Sequence, residues 1–216
     1  MSNQFILKPA KLYIFDMDGT ILDSMPAWEH LGRNYLLQEQ ITPPDNLEKI
    51  IEAMTLDESA VYFQQLGLHK KTDEIIHGVM SCIQDAYRLS IPAKPGMVSL
   101  IQSLSQKKDS ILCLLTTSEE KCARQAMERL GIASCFSHLY TSSQLGLGKN
   151  TGEIYQKVCD RYQISPSDTV VLEDALYAVR SAKEAGCYVY GIPDDSSKKD
   201  WEKVVQLADD VLLFHP

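Results

Sequence analysis

From Pro95-Gly96 onward, short apolar and β-branched runs alternate with segments of helical periodicity, and this alternation constrains the fold most. Residues 111–116, 138–141, 169–173, 187–192 and 211–214 read as strands, and residues 119–130, 151–162 and 175–185 as helices between them. Repeated βαβ units imply an α/β protein with a doubly wound parallel sheet, Rossmann-like, with helices on both faces. Ligands of such sheets bind beyond the carboxyl ends of the strands, near the switch in strand order. A further strand, residues 11–16, comes first. Between the two lies a block, residues 25–89, with helical periodicity throughout: Trp28, Leu31, Tyr35 and Leu36 make one stripe. Leu47, Ile50, Ile51 and Met54 make the next, continued by Ala60, Phe63 and Leu66, and Ile75, Ile76, Val79, Met80, Ile83 and Tyr87 the last. The expected organisation is an α/β core of residues 1–22 and 92–216 with an inserted all-helical domain, 23–91.

The first strand runs into Asp16-Met17-Asp18-Gly19-Thr20. Residues i and i+2 of an extended segment point the same way, so both carboxylates are expected to emerge together, with Gly19 allowing a sharp turn. A hard cation would relieve their repulsion, which makes magnesium the natural reading. A calcium loop fails, because Thr20, Ile21 and Leu22 follow where oxygen ligands should be. An acidic turn without chemistry stays open. Other strands also end in useful groups. Residues 111–115 lead into Thr116-Thr117-Ser118, hydroxyls before a helix that suit phosphate oxygens, while Thr117 or Ser118 caps that helix. The strand at 169–173 ends in Glu173-Asp174, which either completes an all-oxygen magnesium shell or only caps a helix. Lys149, in Gly146-Leu147-Gly148-Lys149, is either a solvated charge or, in a strand-to-helix loop on the same rim, a fixed ammonium.

A net charge of −8 argues against a nucleic-acid partner, whereas a small anionic substrate remains compatible with a bound cation and one lysine. Six scattered cysteines, no secretory signal and no apolar run near the ~20 residues that span a membrane lead us to expect a cytoplasmic monomer with free thiols. Residues 193–200 read as a solvated loop.

In order and spacing, Asp16-x-Asp18-Gly19-Thr20, Thr116, Lys149 and Glu173-Asp174 resemble the four motifs of the haloacid dehalogenase-like hydrolase superfamily. Asp23-Ser24-Met25-Pro26 and Glu173-Asp174-Ala175…Ala182…Ala185-Gly186 are similar to its phosphatase and β-phosphoglucomutase-like branch, and the helical block falls where that branch carries its cap. The resemblance implies that Asp16 is the nucleophile, forming an aspartyl-phosphate, and that Asp18 is the general acid and then base. It implies that Thr116 and the Thr117 amide bind the phosphoryl group, that Lys149 offsets charge, and that Glu173 and Asp174 hold Mg2+ with Asp16 and the Asp18 carbonyl. The implied activity is magnesium-dependent hydrolysis of a small phosphorylated metabolite such as a sugar phosphate, under a lid hinged near residues 21–25 and 91–95. A phosphomutase and a non-catalytic phosphate-ligand-binding protein are the alternatives. The chain departs from the branch in three places. Lys149-Asn150-Thr151-Gly152 replaces Lys-Pro-x-Pro, and Ala175 and Ala178 replace Ser and Gly. Trp28 and Ala53-Met54-Thr55-Leu56-Asp57 stand where the mutases carry a histidine and an arginine. That loss disfavours a mutase unless Arg33, His30 or Lys49 substitutes. Trp28 and Tyr35 are read as packing between helices and Trp201 as a core or edge contact.

Overall fold

The computed structural model describes residues 7–213. The chain divides into two compact units, one made of residues up to Asp23 and from Pro92 onward, the other of Ser24–Ile91. Strand β1 (Leu12–Phe15) is followed by the helical unit: α1 (Met25–Glu29), α2 (Leu31–Gln38), α3 (Leu47–Ile51), α4 (Leu56–Gln65) and α5 (Thr72–Leu89). The chain then runs through α6 (Met97–Ser105), β2 (Ile111–Thr116), α7 (Glu120–Arg129), β3 (His138–Thr141), α8 (Ser142–Leu145) and α9 (Glu153–Tyr162). Strand β4 (Thr169–Glu173), α10 (Leu176–Glu184), β5 (Tyr188–Gly191), α11 (Trp201–Leu207) and β6 (Asp210–Val211) complete it. Among the described residues no helix is long and apolar enough to cross a membrane.

In the helical unit α5 buries Ile75, Val79, Ile83 and Tyr87, one residue per turn, and packs against α2 and α4. Tyr35 fits beside Phe63 because Gly78 of α5 leaves room; a Cβ there would lie 2.5 Å from the Tyr35 ring. Trp28 is only partly covered, donating from Nε1 to the Tyr87 hydroxyl at 2.9 Å. The segment around Thr55 is a helix start: Thr55 and Glu58 form a reciprocal capping box that opens α4.

The other unit is a six-stranded sheet in the order β3-β2-β1-β4-β5-β6, with every pairing parallel. Its central strands are buried along their whole length, as both faces of a parallel sheet must be. Leu12, Ile14, Cys113, Val171 and Val189 share one cluster with Ile154, Tyr155 and Val158 of α9 and with Val179 and Ala182 of α10. The order reverses beside β1, so the switch point lies at the carboxyl ends of β1, β2 and β4. Register brings those ends level, pairing Phe15 with Leu114 on one side and Leu172 on the other.

The sequence reading needs four corrections here. Helix α6, with Met97, Leu100, Ile101 and Leu104 buried, and helix α11 were not anticipated; Trp201 opens the second and packs on the core cluster. The last strand forms earlier than expected, at Asp210–Val211, and Phe214 lies outside the described residues. Helix α8 separates β3 from Lys149, so the lysine sits between two helices instead of in a strand-to-helix loop. Residues 193–200 are not simply solvated. Asp194, three residues beyond the end of β5, is buried in an ion pair with Lys94 at 2.8 Å.

All six cysteines are free, and four of them are buried. Burial pushes the Cys113 thiol up to about 12, as expected of a small core hydrophobe.

Candidate active site

Strand β1 stops at Phe15, and the chain turns at once: the amides of Ile21 and Leu22 both donate to the Met17 carbonyl at 2.9 Å. Gly19 makes the turn with φ of +81°, and a Cβ there would meet Asp174 Oδ2 at 2.6 Å. The position therefore demands glycine twice, for backbone and for space. The two aspartates of this turn meet different partners. Asp16 is buried, with Oδ1 accepting from Lys149 Nζ at 2.5 Å. Asp18 is half-buried, and its Oδ2 accepts from Ser118 Oγ at 2.6 Å.

Lys149 is 3% exposed, and its ammonium also donates to Glu173 Oε1 at 2.7 Å. Burial alone would push it down, but the Asp16 and Glu173 carboxylates outweigh that and hold it well above its ordinary value. The ammonium is thus permanently charged. Glu173 is pushed up to about 7 by burial and by the Asp16 charge, against the pull of Lys149. Its Oε2 accepts the amides of Asp174 and Ala175 at 3.0 and 3.2 Å, which ties the carboxylate to the start of α10. Asp174 is raised well above the usual carboxylate range by burial and then by the charges of Glu173, Asp16 and Asp194. Thr20 Oγ1 donates to its Oδ1 at 3.3 Å.

At the end of β2, Thr116 is fully buried and Thr117 is exposed. The Ser118 amide donates to Thr116 Oγ1 at 3.0 Å. Neither Thr117 nor Ser118 caps α7; the N-cap is Glu119, which makes no side-chain capping bond, and the Ser118 hydroxyl is turned onto Asp18.

These positions pass a simple test for a hard cation. Asp16, Glu173 and Asp174 each offer a carboxylate oxygen, all within 4.8 Å of one another. Asp16 Oδ2 is buried with no hydrogen-bond partner, an arrangement costly enough to imply an absent ligand. Three buried carboxylates facing one lysine leave excess negative charge, and oxygen donors suit magnesium. The Asp18 side chain stands outside this trio. Sequence reasoning missed three features: the Ser118 contact to Asp18, the Thr20 contact to Asp174 and the packing of Gly19 on Asp174. Thr20 and Gly19 lie inside the first motif, so their presence was legible while their partners were not.

Fold and site together define a class: a doubly wound α/β enzyme working at a carboxylate–lysine centre on the sheet's switch point. The chain belongs to the haloacid dehalogenase-like hydrolase family, whose model matches residues 13–192. It is 25% identical over 193 residues to the phosphorylated carbohydrates phosphatase of Thermotoga maritima, covering 83% of each chain. It is 27% identical over 186 residues to the fructose-1-phosphate phosphatase YqaB of Escherichia coli, covering 80% of this chain and 91% of that one. Among solved structures, a candidate β-phosphoglucomutase of Thermotoga maritima superposes with a TM-score of 0.78 at 22% identity, covering 93% of both chains.

Proposed function

We propose that this hydrolase removes the phosphoryl group from a small phosphorylated metabolite, a sugar or polyol monophosphate, through an aspartyl-phosphate on Asp16. The observation that carries the reading is the buried Asp16 carboxylate. Its Oδ1 is pinned by a permanently charged Lys149, while Oδ2 has no partner beside Asp174. The sugar-phosphate phosphatases among the relatives support the substrate class.

In this mechanism Asp16 Oδ2 attacks phosphorus as the bond to the leaving oxygen breaks, and Asp18 gives that oxygen its proton. Asp18, now a carboxylate, takes a proton from the water that next attacks phosphorus, releasing inorganic phosphate and restoring Asp16. Thr116 already accepts from the Ser118 amide, so its hydroxyl proton is available to a phosphoryl oxygen, with the Thr117 amide alongside. Lys149 holds Asp16 Oδ1 by its hydrogen bond and adds positive charge next to the transferring group. Asp16, Glu173, Asp174 and the Asp18 carbonyl would hold magnesium, which when bound supplies charge neutralisation for the phosphoryl oxygens. We assign the helical unit the role of a cap that selects the substrate.

A mutase must grip a second phosphate, and two of the three basic groups able to replace the missing cap residues, Arg33 and His30, are engaged. Arg33 donates to both oxygens of Glu48, at 2.6 and 2.8 Å, and to the carbonyls of Pro44 and Asp45. His30 shares the same carboxylate at 3.2 Å. A non-catalytic binding protein has no need to retain Asp16, Asp18, Lys149 and Asp174 together.

The test is phosphate release from a panel of sugar and polyol monophosphates, with magnesium and with chelator. Activity should need magnesium and fall at least about a thousandfold in Asp16→Asn with the fold unchanged by circular dichroism. Turnover at wild-type rate in that variant would overturn the assignment.

A further inference from the structure

We infer that Ser118 is a positioning residue for the first half-reaction, orienting the Asp18 carboxyl so that its proton faces the leaving oxygen. This inference rests on the proposed phosphatase mechanism and adds to it a residue that none of the four motifs assigns a role. Ser118 Oγ lies 2.6 Å from Asp18 Oδ2 across 100 residues of sequence, a short and strong contact. A hydroxyl held on Oδ2 fixes which way the carboxyl group faces. The rotamer is thereby set, which is what general-acid catalysis requires of a carboxyl group with two equivalent oxygens.

Ser118 is itself held from two sides. Its amide is fixed on Thr116 Oγ1 at 3.0 Å, the hydroxyl that this mechanism places against the phosphoryl group. The turn that follows is anchored by Glu120, which accepts from Gln144 Nε2 at 2.7 Å and from Arg124 Nη2 at 2.6 Å. The side chain is not spent on capping α7. One turn thus couples the phosphate-binding end of β2 to the acid on the β1 turn. In the first step Asp18 passes its proton to the leaving oxygen as the phosphorus–oxygen bond breaks. The negative charge left on Asp18 is stabilised by the same Ser118 hydrogen bond.

A leaving group that departs without a proton provides the test. For Ser118→Ala, Ser118→Thr and wild type we would measure kcat/KM, which reports transfer to Asp16. The substrates are p-nitrophenyl phosphate and the hexose or hexitol monophosphate that wild type turns over fastest. Alanine should lose about tenfold more on the sugar phosphate than on the nitrophenyl ester, since only the alkoxide needs the oriented acid, and threonine should restore it. Equal losses on both substrates, or none, would overturn the role of Ser118 and leave the hydrolase mechanism standing. A wild type that released phosphate from neither substrate would overturn that mechanism and the inference with it.

Discussion

Gly19 shows how closely single residues are matched at this centre. Any side chain there must both adopt a φ of +81° and displace the Asp174 carboxylate, 2.6 Å from the Cβ position. Gly19→Ala should cost about 1 kcal/mol of stability or more and weaken magnesium binding, measured by denaturation and by titration calorimetry. Tyr155 presents the opposite case. Its hydroxyl is buried without a partner, pushed well up by burial and by the nearby Glu173 charge. Tyr155→Phe removes an unsatisfied polar atom and should leave stability unchanged or raise it by about 1 kcal/mol in urea unfolding. Asp16, Glu173 and Asp174 stood out in the sequence as charged residues at the ends of apolar strands, and Lys149 as a lysine after Gly146 and Gly148, while their roles came only with the resemblance to the family motifs. The Ser118–Asp18 contact was not legible, because nothing in either segment states which hydroxyl meets which carboxylate.

At the scale of elements, two sites separate local from tertiary effects. Ala175 is the N-cap of α10, in the extended conformation a cap needs, yet it has no side-chain oxygen to offer. Ala175→Ser should stabilise the protein by about 1 kcal/mol, read as a shift in the denaturation midpoint at constant slope. In the helical unit, the hydrogen bonds from Arg33 hold the Glu48 carboxyl down at about 2, against an ordinary value of 4.5 and despite its partial burial. A carboxyl depressed in the folded state contributes stability that is complete above about pH 4.5 and is lost as pH falls toward 2. Glu48→Gln should therefore trail wild type most at pH 7, with the gap closing between pH 4.5 and 2; a gap independent of pH would contradict the pairing. Strands β2, β3 and β4 were legible end to end as short apolar runs, since buried parallel strands carry little else. Helix α6 carried its signal in Met97, Leu100, Ile101 and Leu104 and was overlooked beside the stronger strand at 111–116. Helix α11 is too short for periodicity to stand out.

At the scale of the whole molecule, the two segments of the α/β unit that flank the helical unit are joined to each other. The Asp23 amide donates to the Pro92 carbonyl at 3.0 Å, and the Lys94 amide donates to the Ile21 carbonyl at 2.8 Å. Leu22 and Ala93 form an antiparallel bridge. Chain ends so close can be rejoined at little entropic cost, so replacing residues 24–91 with a short Gly-Ser linker should leave a cooperatively melting α/β unit. If the helical unit selects the substrate, this variant should also discriminate less among phosphomonoesters. Loss of the cooperative transition would refute the independence of the sheet. The sequence by itself determined the α/β class, the place of the helical insertion and the chemistry available at the strand ends. Those follow from periodicity and residue type, which act within a few residues of chain. The tertiary structure alone decided that Asp16 and Asp18 take different partners, that Lys149 serves two carboxylates, and that Asp194 and Ser118 are held by residues about 100 positions away. Such pairings depend on strand order and register, which bring together segments that carry no local record of each other.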